Sequence, residues 1–236
     1  METRTRILQA ALACFVERGY EQTTVARVRE LSGVSNGALF HHFPTKEAIA
    51  DALYVEAMGS YQQGLWELLR RRPRSLRAGV LGTISHQLSW TEQNEDRARL
   101  LYMRGHLDWD SPAGSQLQEL NSALAAAYRD WMTPLVRAGQ IRPMSMLMLT
   151  AIVTGPAHAI ARRWLAGHLE HPLQSHAEEL ADAACAALSG TPASSRAQPQ
   201  PGRGRIRLQL IGEDGSVLAD GEATAELRAR AAGSAA

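Results

Sequence analysis

A short run of small and polar residues near the N-terminus has the types and spacing to grip a nucleic acid. Ser35, Asn36, Gly37 and Ala38 follow one another, with Phe40 and His41 just beyond and Lys46 further on. A serine at the start of a helix caps a free N–H of the first turn. Small residues after it let the backbone come close to phosphates or base edges, and the helix N-terminus itself favours anions. Lys46 is the only lysine in a chain of 236 residues whose Lys and Arg total 25.

Two helices are needed to position these groups. Thr24 is placed to cap the first, through Val25, Val28 and Leu31, a contact worth about 1 kcal/mol. Gly33 supplies the left-handed residue that ends it, and Val34 packs at the corner. Ser35 caps the second helix, in which Leu39 and Phe43 lie four apart and face a core while Phe40 and His41 project elsewhere. Two helices joined by a short Gly-containing turn form a helix-turn-helix, whose second helix enters the DNA major groove by its N-terminal residues. A helix before them is marked by Ile7, Ala10, Ala11, Cys14 and Phe15 at helical spacing and ended by Gly19.

The same stretch carries a family resemblance. Ile7-Leu8, Ala10-Ala11, Phe15, Gly19-Tyr20 and Thr23-Thr24 match, as do Gly33-Val34-Ser35, Gly37, Leu39-Phe40, His42-Phe43 and Lys46-Glu47. From Thr5 to about Tyr61 the chain resembles the DNA-binding domain of TetR/AcrR-family regulators. The resemblance implies a homodimeric, ligand-responsive transcriptional regulator in the cytoplasm, usually a repressor, on a palindromic operator. Carried over by position, the DNA-binding residues are Thr24, Ser35, Asn36, Gly37, Ala38, Phe40, His41 and Lys46. Three positions depart from the pattern: Phe40 stands where the family usually has a tyrosine that bonds a phosphate, and Arg29 and Ser32 stand where it prefers alanine.

Composition sets bounds. With 45 % apolar and 21 % charged residues the chain can bury one large or two modest cores. Formal net charge is only +1, and residues 1–48 hold six basic and five acidic side chains, so a DNA-binding face must come from local placement of Arg27, Arg29, His41, His42 and Lys46. Cys14 and Cys185 lie far apart in apolar helical patterns, which argues against a disulfide framework and for a reducing compartment. No signal peptide or run of 18 apolar residues is visible, so a soluble protein is expected.

The expected architecture is all-α: a three-helix helix-turn-helix domain over 1–61, a helical ligand-binding and dimerisation domain over 62–190, a linker over 191–204 and an extension over 205–236. Thr45 caps a fourth helix running to about Arg71. Further helices run through Leu76 to Leu88, from Arg97 to Asp108, and from Ser111-Pro112 to Gly139. Pro143 opens one toward His168, kinked at Gly155-Pro156. The last runs from about Leu173 to Leu188, with Ala181, Ala184 and Leu188 suited to a dimer contact that the resemblance implies. Ordinary packing within the chain is the alternative. Beyond Gly190, a Pro- and Ser-rich stretch precedes an alternating run at Arg205–Leu210, a turn signal at Asp214-Gly215 and Val217-Leu218, which predicts a small β-hairpin.

A ligand pocket is expected between the helices of residues 76–168, with Trp66, Tyr102, Met103, Arg104, His106, Trp131 and His158 as candidates. Aromatic and methionine side chains line adaptable pockets but also fill cores. His168, Glu170, His171 and His176 do not converge as metal ligands should across Pro172. No P-loop, nucleophile elbow or paired-carboxylate pattern occurs, so neither a catalytic residue, a metal nor a cofactor is expected. The expected partners are an operator DNA, a small-molecule effector and a second copy. The alternative is a helical small-molecule-binding or scaffold protein with weakened DNA binding.

Overall fold

The computed structural model describes residues 2–103, 109–169 and 172–189, and the backbone of 203–211 and 217–226. Over these residues the chain forms α1 (Thr3–Arg18), α2 (Val25–Ser32), α3 (Asn36–His42), α4 (Lys46–Arg70), α5 (Leu76–Gln93), α6 (Glu95–Met103), α7 (Pro112–Arg137), α8 (Met146–Leu165) and α9 (Ala177–Ser189), the last preceded by a 3-10 turn at Leu173–His176. Two strands follow, β1 (Arg203–Ile211) and β2 (Val217–Glu226).

Hydroxyl caps set most of the helix starts. Thr24, Ser35, Thr45, Ser75, Ser111 and Ser145 each accept a hydrogen bond from the backbone N–H three residues on, satisfying a donor the helix itself leaves orphaned. Ser145 corrects one expectation: α8 starts after it, and Pro143 lies outside the helix. Helix α8 then runs unbroken past Pro156, as α7 does past Pro134. Gly33 adopts a left-handed conformation (φ 63°) and its N–H bonds back to Arg29 and Glu30 carbonyls, closing α2.

The helices enclose two hydrophobic clusters. One joins Ile7, Leu8, Ala11, Cys14 and Phe15 of α1 to Val28, Leu39, Phe43, Ile49 and Leu53, and it also takes in Leu100 from α6. The other is built from α4, α5, α7, α8 and α9 around Val80, Ile84, Leu88, Trp131, Leu149 and Trp164. Helix α6 packs against α1, α4, α5 and α8, so it touches both clusters. Arg99 fastens it by donating to Glu95 and to the Leu165 carbonyl at the end of α8.

Several expected placements changed. Leu31 is 51 % exposed, while Ser32 is buried in its stead. The Ser32 hydroxyl donates to the Arg29 carbonyl and its own carbonyl accepts from Arg6 at 2.6 Å, so the polar residue sits in the core with its bonds made. Arg29 points to solvent and does not disturb the packing. Ala181, Ala184 and Leu188 are buried within the chain, where α9 packs on α5 and α8. They are core, and their small size admits close helix contact inside one molecule. Arg77, in the first turn of α5, bridges Glu178 and, at 2.9 Å, Asp182 on α9. Both cysteines are free thiols, Cys14 buried.

The chain divides into two compact units, residues 1–190 and 191–236. In the second, β1 and β2 pair antiparallel from Arg203↔Glu226 to Ile211↔Val217, with an irregularity between Leu210 and Ile211. The strands extend beyond the alternating run that predicts them; Asp214-Gly215 and most of the linker lie outside the described residues. No described helix is long and apolar enough to cross a membrane.

Candidate nucleic-acid interface and interior cavity

Helix α3 is held from beneath and open above. Leu39 is fully buried and Phe43 nearly so, which orients the helix. Ser35, Asn36, Gly37 and His41 are then exposed, Ala38 half-buried and Phe40 46 % exposed. Nothing lies within 4 Å of where a Cβ on Gly37 would stand. Thr24 opens α2 on the surface, its hydroxyl accepting from Arg27 N–H. A hydroxyl that caps with a lone pair retains its O–H as a donor for an incoming anion.

Lys46 is more engaged than its spacing predicts. Its Nζ donates to the Tyr20 carbonyl at 3.0 Å and lies 4.2 Å from the Tyr20 ring centroid. The neighbouring Glu47 carboxyl accepts from the Tyr20 hydroxyl at 2.9 Å. Its own backbone N–H, then that hydroxyl, hold its pKa below the ordinary value. Arg27 is paired with Glu30 at 2.8 Å; Arg29 remains exposed.

The residues proposed for a pocket do not converge on one site. Tyr102 and His158 meet, with Tyr102 Oη 2.7 Å from His158 Nδ1, on the wall of a half-open cavity of about 190 Å³. Trp66 lies instead in a groove between α4 and α7, its ring under the Arg70 guanidinium at 4.5 Å. Trp131 is core: its Nε1–H donates to the Pro73 carbonyl and its ring fills the space above Gly79. A larger groove of about 590 Å³ runs past Trp131 along Arg72–Arg74 and α7, but it is a surface trough at a loop. Met103 ends α6; Arg104 and His106 lie outside the described residues, as do Glu170 and His171.

The cavity has walls that the spacing argument missed. Tyr54, Met58 and Tyr61 come from α4, outside the 76–168 range, and Gln87, Trp90 and Thr91 come from α5. The signal was present: Thr83, Gln87 and Thr91 stand at i, i+4 and i+8 on the otherwise apolar buried face of α5. Thr83 and Thr91 satisfy themselves by donating to the carbonyls of Gly79 and Gln87. Gln87 is 1 % exposed and neither of its amide atoms has a hydrogen-bond partner.

Burial governs the electrostatics of this wall. It pushes the Tyr102 phenol up to about 12, with Gln87 and then Arg162 acting in the opposite direction. It raises the Tyr61 phenol as well. His158 is an exposed residue of α8 that also lines the cavity, and loss of water from its imidazole there holds its pKa below the ordinary value. At neutral pH the described lining is uncharged.

An N-terminal helix-turn-helix joined to a larger all-helical body is the architecture of a DNA-binding regulator. Comparison with known proteins gives the family. Residues 7–53 match the model for bacterial regulatory proteins of the tetR family. The HTH-type transcriptional repressor Rv1474c of Mycobacterium tuberculosis is 31 % identical over 139 residues, 59 % of this chain and 69 % of that protein. The repressor AcnR of Corynebacterium efficiens is 43 % identical over 75 residues, 30 % of this chain and 40 % of that protein. The chain belongs to the TetR family of transcriptional regulators. Solved structures share its fold: a TetR family regulator of Marinobacter aquaeolei (TM-score 0.65, 19 % identity, covering 79 % of this chain and 95 % of that one), and FadR of Bacillus subtilis in complex with stearoyl-CoA (TM-score 0.64, 17 % identity, covering 78 % and 98 %).

Proposed function

We propose that the protein is a cytoplasmic repressor that binds a palindromic operator as a homodimer and releases it when a small molecule enters the cavity. The observation that carries the DNA reading is α3: capped by Ser35, anchored by Leu39, with Asn36, Gly37, Ala38, Phe40 and His41 facing outward. In a dimer, two such helices enter successive major grooves roughly 34 Å apart. Asn36 is suited to base edges, and Phe40 to a thymine methyl in place of the phosphate bond a tyrosine would make. Thr24, Ser35 and Lys46 supply positioning contacts to phosphates.

The dimer reading now rests on different residues. The buried alanines of α9 are spoken for, while Leu147 and Met148 on α8 are 77 % and 51 % exposed, an apolar surface that a second copy would cover. For the switch, α6 is the connecting element, because Ala98, Leu101 and Tyr102 line the cavity while Leu100 sits in the DNA-binding core. A ligand shifts the equilibrium only through its different affinity for the two arrangements.

The test is a titration of purified protein onto DNA from upstream of its own gene, against random DNA, at about 150 mM salt. Tight, selective binding at one protein dimer per site is expected. Weak and unselective binding to all sequences would leave the protein as a helical small-molecule binder and overturn the repressor reading.

A further inference from the structure

Gln87 is the one fully buried side chain on the described cavity wall with neither polar atom in a formed hydrogen bond; the Tyr102 phenol is close enough to feel its amide, but the hydroxyl bonds His158 instead. A primary amide offers two donors and an acceptor with two lone pairs, and burying it unpaired is unfavourable. Its neighbours on the same face of α5, Thr83 and Thr91, donate to backbone carbonyls, and neither hydroxyl bonds the amide. Most of the rest of the wall is aromatic or apolar, from Tyr54, Met58, Tyr61, Trp90 and Leu101, with the Tyr102–His158 pair as its other polar group beside Thr91. No Lys, Arg, Asp or Glu stands among the described lining residues, and Arg162 reaches Tyr102 only from the exposed side of α8. Among the described lining residues an ionised ligand would therefore lose its water and find no counter-charge.

Size narrows the class further. The cavity of about 190 Å³ is a little larger than one that holds benzene, about 150 Å³. We infer that the cavity takes an uncharged one- or two-ring molecule with a donor beside an acceptor on one edge, an amide, lactam or imide, seated against Gln87. The aromatic walls take its faces and Gln87 completes its hydrogen bonds through the ligand. This inference rests on the ligand-responsive reading above and names the chemistry of that site.

Three bicyclic probes of similar size test it by calorimetry on the full chain: 2-quinolinone, which carries the paired edge; naphthalene, which has none; and 2-naphthoate, which is charged. The wild-type protein should bind 2-quinolinone about tenfold or more tighter than either other probe, and Gln87→Leu should bring it to parity with naphthalene. Equal affinities, tightest binding of the naphthoate, a preference that survives Gln87→Leu, or no binding of any probe would each overturn the inference. The wild-type comparison stands even if the variant does not fold. Operator release is read in a separate titration: lactam binding without release would sink the ligand-responsive repressor and leave the cavity chemistry intact.

Discussion

Lys46 clamps Tyr20: its ammonium lies 3.0 Å from the Tyr20 carbonyl oxygen and 4.2 Å from the ring centroid, while the Tyr20 hydroxyl reaches back to Glu47. The first turn of α4 is thereby tied to the loop that leads into Thr24 and α2. A residue that sequence alone marks as a phosphate contact also holds two parts of the proposed DNA-binding face in register.

Lys46→Ala should therefore do two things. As a phosphate contact, it should weaken DNA binding about equally across sequences and lower the salt slope by about one. As a clamp, it should cost about 1 kcal/mol, roughly 2–4 °C in Tm. Thermal unfolding and salt-series titrations separate the effects. An unchanged Tm would show that the Tyr20 contact contributes nothing to stability.

Leu100 is 4 % exposed and packs with α1 and α4 although it belongs to α6, whose neighbouring residues line the cavity. Leu100→Ala should cost about 2–5 kcal/mol in urea unfolding and weaken operator binding as the DNA-binding helices lose support. Leu100→Met should restore most of both. Operator affinity that is unchanged in the alanine variant would remove α6 from the proposed switch.

Gly79 faces the Trp131 indole so closely that a methyl at its Cβ position would lie 1.9 Å from Cζ2. Gly79→Ala should destabilise the body by about 1–3 kcal/mol or more, despite the better helix propensity of alanine, because the ring must move. Near-UV circular dichroism should register the displaced tryptophan. A stabilised variant would mean that Trp131 is loosely packed.

His158 sets a pH dependence whose sign follows from its environment. Its folded pKa lies below the ordinary 6.5, from loss of water, so the folded state binds fewer protons than the unfolded one. Stability is unaffected well above pH 6.5 and falls as the pH drops below it, since protonation then favours the unfolded chain. Protonation also takes away the Nδ1 lone pair that receives the Tyr102 hydroxyl. His158→Gln should flatten the Tm profile as the pH falls below about 6.5, and an identical profile in both proteins would contradict the assignment.

Much of this molecule is local. Ile7, Ala11, Cys14 and Phe15 repeat at helical spacing, Ser and Thr stand where helices begin, and Gly33 ends α2. Such features act within one or two turns, so periodicity and capping specify them directly, and the resemblance in residues 5–61 points to the family. The tertiary structure decided the rest, because burial depends on partners distant in the chain. It turned Ala181 and Ala184 into core, exposed Leu31, fixed Trp131 above Gly79, and put Lys46 on Tyr20. It also brought α4 to the cavity wall and left Gln87 there with its amide unpaired. A residue's type states which bonds it can make; only the packing of α4, α5, α6 and α8 determines which are left for a ligand.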